Sequence, residues 1–235
     1  MRLLRRGVIV VRGGVPTPDE REVLRALRVP HAMRIADVEE RGVREAIELA
    51  FGRALPMATF EGVFRTAEVT AIQEDELVLR GAPSGLLRSS VLASRFAGAR
   101  EVAVLAVTLG ERWDEVLDEL ARKGEPAEAW FLDALGTFLV DRASRVVEAR
   151  IEADLRRAAL ARLGRYRPGY EGFPIEAQSG LCQFVEASRI GVTVNEAMSL
   201  WPRKSVTTVV GFAPKEDGRA LDDEGDPVVI GAKSS

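Results

Sequence analysis

One apolar stripe constrains this chain more than any other feature. From Pro126 to about Leu163, the residues Leu132, Leu135, Leu139, Ala143, Val147, Ile151, Leu155 and Ala159 recur at spacings of three and four. That is the period of one helix face, and the opposite face carries Arg, Asp and Glu. A helix of that span is about 55 Å long at 1.5 Å per residue. It is long for a chain of 235 residues, so a break or bend is expected, and Gly136 is a weak point in it.

The other elements mix strand and helix without a strand-helix-strand rhythm. A short β-branched run, Gly7 to Val11, precedes a helix over residues 19–27 that opens on Thr17-Pro18-Asp19-Glu20. A second helix is expected over residues 38–54. Thr59 to Ile72 and Glu76 to Leu79 flank the polar break Gln73-Glu74-Asp75 and read as an antiparallel hairpin. Ser89-Ser90 caps a helix through Phe96. Val102 to Val107 is wholly apolar, as in a strand buried on both faces. A helix from Glu111 to Lys123 stops at Gly124. Beyond Gly164, Arg165 to Pro174 reads as loop, Ile175 to Ala187 as a short helix, and Val192-Thr193-Val194 and Ser205 to Val210 as strands joined around Trp201-Pro202. The expected class is α+β, an antiparallel sheet packed with helices that include the long one. Residues 1–213 are expected as one domain, and residues 214–235 as a polar, acidic, mobile tail.

Composition removes several functions. The chain has one Cys and one His. A zinc finger, a Cys-ligated cluster, a His-rich metal site and an internal disulfide are all excluded, and a Ser-His or Cys-His enzyme would have to use His31. The net charge of -3 offers no field for nucleic acid. The apolar run Val8-Ile9-Val10-Val11 is too short for a signal-peptide core or a membrane span, so the expected location is cytoplasmic. No glycine-rich phosphate loop, G-x-G-x-x-G or G-x-S-x-G element occurs. His31 reads as a loop or partly buried histidine, and Cys182 as buried and inert.

Two segments could carry chemistry. Arg165-Tyr166-Arg167-Pro168-Gly169-Tyr170-Glu171-Gly172-Phe173-Pro174 is dense in Pro, Gly and aromatics. Its Pro-Gly pair suits a type II turn, which can aim backbone N–H groups at an anion. Arg165 or Arg167 suits a carboxylate, and Tyr166 and Tyr170 suit a flat ring or a cation. A rigid connector is the plainer alternative. Pro202-Arg203-Lys204-Ser205-Val206-Thr207 is a basic turn entering a strand. With Trp201 before it, Arg203, Lys204 and Ser205 offer a contact for an acidic partner or a cofactor tail, or merely a solvated turn.

Taken together, R-Y-R-P-G-Y-E-G-F-P-I-E-A-Q (165–178), I-G-V-T-V-N-E (190–196) and P-R-K-S-V-T-T-V-V-G (202–211) resemble the activation domain of cobalamin-dependent methionine synthase, and its small stand-alone relatives most. Val107-Thr108-Leu109-Gly110 and Leu132-Asp133-Ala134-Leu135-Gly136-Thr137 add to the resemblance, which covers about residues 100–212. It implies a module that binds S-adenosylmethionine and docks against an oxidised cobalamin. A flavodoxin-type donor then supplies an electron, and the methyl group passes from sulfonium to cobalt. The family's Arg-x-x-x-Gly element falls on Arg165 and Gly169, so the resemblance gives Arg165, Pro168, Gly169 and Tyr170 to S-adenosylmethionine. A carboxylate near the cationic end falls on Asp133 or Asp141, with Asp133 preferred for its place in the Asp-Ala-Leu-Gly-Thr run.

The chain also departs from the family. No Tyr follows Tyr170, although the family covers its ligand with a tyrosine after the last hairpin. The cobalamin-ligating D-x-H-x-x-G and the three zinc cysteines of methionine synthase are missing. The expectation is therefore a reactivation module with no catalytic side chain and no metal of its own. Cobalamin would arrive on a partner, a methionine synthase or another corrinoid protein. Two alternatives stand beside it: a corrinoid-protein-binding module of the same fold that does not use S-adenosylmethionine, and a structural helical protein.

Overall fold

The structure is a computed structural model that describes residues 7–29, 32–170 and 172–214. His31 and the acidic tail lie outside the described residues. In chain order the elements are β1 (Ile9–Gly14), α1 (Glu20–Ala26), α2 (Arg41–Ala54), β2 (Thr59–Ile72), β3 (Glu76–Leu79), β4 (Leu87–Arg88), α3 (Ser90–Arg95), β5 (Glu101–Thr108), α4 (Arg112–Lys123) and α5 (Pro126–Arg156). They continue with β6 (Leu160–Tyr166), α6 (Ala177–Phe184), β7 (Thr193–Val194), β8 (Leu200–Trp201) and β9 (Ser205–Pro214).

Local signals explain several helix boundaries. Asp19 closes a capping box with Glu22 at the start of α1, which satisfies two orphan N–H groups at once. Ser89 caps α3 by accepting from the Leu92 N–H. Gly124 ends α4 in the left-handed conformation.

All the pairings in the sheet are antiparallel. The order is β4-β3-β2-β5-β9-β6, with β1 beside the first half of β2. The centre is β5, between β2 and β9. Its side chains alternate between two cores. Ala103, Leu105 and Val107 join a core with α2, α4 and α5. Val102, Val104 and Ala106 join a second core with α3 and α6. Helices on both faces are the physical reason that no polar residue interrupts the strand.

Two expectations are corrected. The long helix is one continuous helix of 31 residues, about 46 Å, and it ends at Arg156 rather than near Leu163. The chain turns at Ala158-Ala159, and Leu160–Tyr166 forms the edge strand β6. Arg165 and Tyr166 therefore belong to a strand and not to a loop. On the polar side of the helix, Ser144 and Glu148 are buried. β7 pairs with β8 as a separate two-stranded sheet, and β9 lies in the main sheet between β5 and β6. Among the described residues, no helix is long and apolar enough to cross a membrane.

Candidate functional site

The two segments singled out in the sequence meet at one cleft. β6 leads into the first. In the run Arg165-Tyr166-Arg167, strand alternation sends Tyr166 into the second core, where its ring meets Phe96 edge-on at 5.4 Å. Arg165 and Arg167 then face α5. A type II turn follows. The Tyr170 N–H donates to the Arg167 carbonyl (3.3 Å), Pro168 takes the first corner, and Gly169 the second at φ +85°. The turn amides do not point at an anion as expected. Gly169 spends its N–H on the Phe173 carbonyl (2.8 Å), and Tyr170 spends its own inside the turn. What the turn presents instead is the Tyr170 ring, 68% exposed.

The second segment is held from below by α4 and α5. The Arg203 guanidinium pairs with buried Asp114 and with Asp118 (2.6 Å). Lys204 is buried. Its ammonium meets the Asp133 carboxylate at 2.8 Å and donates to Thr137 Oγ1 at 3.0 Å. Gly136 makes room for it: a Cβ there would lie 2.9 Å from Trp113 and 3.0 Å from the Lys204 stem. The Asp-Ala-Leu-Gly-Thr run is thus the cradle of Lys204. Val107 to Gly110 is tied to the same place. The Leu109 N–H donates to the Lys204 carbonyl (2.9 Å), and Ser205 Oγ donates to Thr108 Oγ1 (2.8 Å).

Between the segments lies a cleft of about 440 Å³. Of the predicted residues, Pro168, Tyr170, Arg203, Lys204 and Ser205 line it. Gly169 shapes the turn beside it, and Trp201, next to the lining Leu200, is 43% exposed. Arg165 and Asp133 do not line it. Asp133, 54% exposed at its side chain, is engaged by Lys204. Arg165 is engaged by Asp141 (3.0 Å) and Glu148 (3.2 Å) in the interior between α5 and β6. Sequence reasoning named Thr207 within the second segment but missed Thr137, Val140 and Gln178 as lining residues. Thr207 Oγ1 donates to Gln178 Oε1 at 2.9 Å, both groups buried.

Electrostatics behind the cleft centre on Asp141. Burial pushes its carboxyl up, but the Arg165 and Arg167 guanidiniums outweigh that and hold it down at about 2. Glu148 is the reverse case. Its burial dominates, and its carboxyl stays above the usual range although Arg165, Ser144 and Arg162 oppose this. Arg167 is lowered first by burial and then by the like charge of Arg165, with Asp141 offsetting part of it.

A second cleft, about 470 Å³, lies between the end of α2 and the start of α4, lined by Arg53, Met57, Leu109 and Arg112 among others. Arg53 is paired with Glu128, and Arg112 with Glu115. Cys182 is buried, and that burial pushes its thiol up to about 11. Among the described residues, no group of three or more His, Cys, Asp and Glu could hold a metal ion.

No family model and no curated protein matches the sequence. Among solved structures, the chain is similar to the crystal structure of the MetH reactivation domain bound to AdoHcy. The TM-score is 0.62 at 15% identity, over 90% of this chain and 80% of that one. At that identity the likeness establishes the fold: α+β, an antiparallel sheet packed with helices, with one long helix.

Proposed function

We propose that this chain is an S-adenosylmethionine-binding reactivation module, which supports reductive methylation of cobalamin carried by a partner methionine synthase or other corrinoid protein. The observation that carries this reading is the cleft, which joins the Arg167–Tyr170 turn to the Arg203–Thr207 entry of β9 on the fold of the MetH reactivation domain. Its volume lies in the range of small-molecule sites, roughly 300–1,000 Å³. Its lining suits an adenosyl amino acid. The Tyr170 face suits a flat ring or a sulfonium, Val140, Ile175 and Leu200 supply apolar surface, and Ser205, Thr207 and Gln178 supply hydrogen-bonding groups.

In this reading the bound molecule supplies a methyl group on a sulfonium, and an electron comes from a flavodoxin-type donor. The chain's own residues bind and orient. None is needed as an acid or base. Tyr170 lines the cleft and is exposed, and Trp201, next to the lining Leu200, is exposed as well; in this reading a partner's corrinoid face is met on that side.

Calorimetric titration with S-adenosylmethionine, and with S-adenosylhomocysteine alongside, tests the reading. Arg165→Ala is a poor probe, since it removes a cation shared by two interior carboxylates, Asp141 and Glu148. Tyr170→Ala is clean, because the ring is exposed. Saturable binding to the wild type that weakens about tenfold in Tyr170→Ala, with an unchanged melting temperature, is expected. No heat at millimolar ligand would overturn it, and the corrinoid-binding module without S-adenosylmethionine would then lead.

A further inference from the structure

The two arginines of the Arg-Tyr-Arg run have different surroundings. Arg165 has 15% of its side chain exposed, and it meets two carboxylates, Asp141 and Glu148. It has no face on the cleft. Arg167 does line the cleft. One of its terminal nitrogens bonds Asp141, and its Nε donates to Thr208 Oγ1 at 3.4 Å. A guanidinium has five N–H donors. Among the described residues, the other donors of Arg167 meet no acceptor. Asp141 Oδ1, moreover, is shared with Arg165. Arg167 is thus a mostly buried cation that shares its counter-ion, Asp141, with Arg165 and Arg145 and borders a solvent-open cleft. Thr208 and Asp141 fix it from behind, which sets the orientation of its fork. A planar two-oxygen anion in the cleft would complete its hydrogen bonds.

We infer that Arg167, rather than Arg165, is the residue that anchors the carboxylate of the ligand's amino-acid portion. Arg165 is a positioning residue, whose charge keeps Asp141 and Glu148 compatible with burial. The inference rests on the adenosyl reading of the cleft, and the test separates the two.

The ligands are S-adenosylhomocysteine and its decarboxylated analogue, S-adenosyl-3-thiopropylamine, titrated by calorimetry into the wild type, Arg167→Met, Arg167→Lys and Arg165→Lys. In the wild type, loss of the carboxylate should weaken binding about ten- to hundredfold. Arg167→Met should weaken S-adenosylhomocysteine by a similar factor and leave the analogue nearly unchanged. Arg167→Lys keeps the charge but loses the fork; it should show a smaller loss of the same selectivity, and it carries the test if Arg167→Met does not fold. Equal binding of the two ligands by the wild type would overturn the inference alone. So would a selective loss in Arg165→Lys with wild-type behaviour in the Arg167 variants. Failure of the wild type to bind either ligand would overturn the adenosyl reading, and the inference with it.

Discussion

Gly136 decides how closely the entry of β9 can approach α5. Alanine would gain about 1 kcal/mol of helix propensity at that position. Its Cβ, however, would stand 2.9 Å from Trp113 Cε3. The indole is fully buried and pinned by its N–H to the Met57 carbonyl, so it cannot move aside freely. Overpacking of this kind costs about 1–3 kcal/mol, and the clash should win. Gly136→Ala is predicted to unfold at lower urea, by about 1 kcal/mol, and stability equal to or above wild type would contradict the packing described. Asp141 gives a pH prediction. Its carboxyl is held at about 2, below its ordinary 3.8. A depressed carboxyl stabilises the fold above the unfolded value, and that contribution is lost as pH falls from about 4 through 2. It amounts to about 2 kcal/mol. Asp141→Asn should be less stable than wild type at pH 5, and the gap should narrow steadily as pH falls from about 4 towards 2. A constant gap across that range would contradict the Arg165–Asp141–Arg167 arrangement. Glu148 acts in the other direction. Its raised carboxyl costs stability as pH climbs above its ordinary 4.5.

At the scale of elements, the strands with clear punctuation were legible in the sequence. Thr59–Ile72 and Glu76–Leu79 have the expected bounds, because a polar break separates two runs rich in β-branched and apolar residues. The end of α5 was not legible. Residues Arg156 to Ala159 include two arginines and two alanines, all good helix formers, and no Gly or Pro marks the stop. The helix ends because Ala159 turns left-handed, at φ +60°, so that Leu160 can pair with Pro214. A tertiary pairing overrides local preference there. A non-glycine residue in that conformation costs about 1–2 kcal/mol, and the Ala159 methyl is exposed, so little packing depends on it. Ala159→Gly is therefore predicted to stabilise the protein by about 0.5–1 kcal/mol in thermal or urea unfolding. A loss of stability would contradict the turn. The misplaced boundary also hid the alternation of Arg165, Tyr166 and Arg167, and so the difference between the two arginines.

For the molecule as a whole, the order of elements and the two candidate segments were legible, since their residue types are unusual for plain connectors. Their meeting was not. β8 and β9 bring Leu200 to Thr207 against the Arg167–Tyr170 turn only because β9 inserts between β5 and β6. Nothing local in either segment encodes that. The Asp133 to Thr137 run illustrates the limit well. The sequence resemblance pointed to it as a ligand neighbour, whereas the fold uses it to seat Lys204 at the edge of the same cleft. Two clefts of similar size now compete for a ligand, one beside the turn and one between α2 and α4. Amide hydrogen exchange with and without saturating S-adenosylhomocysteine separates them. Slowed exchange is expected over residues 167–170, 172–173 and 198–208, with no change over residues 53–59 and 109–116. Protection confined to the second set, or none in either, would contradict binding beside the turn.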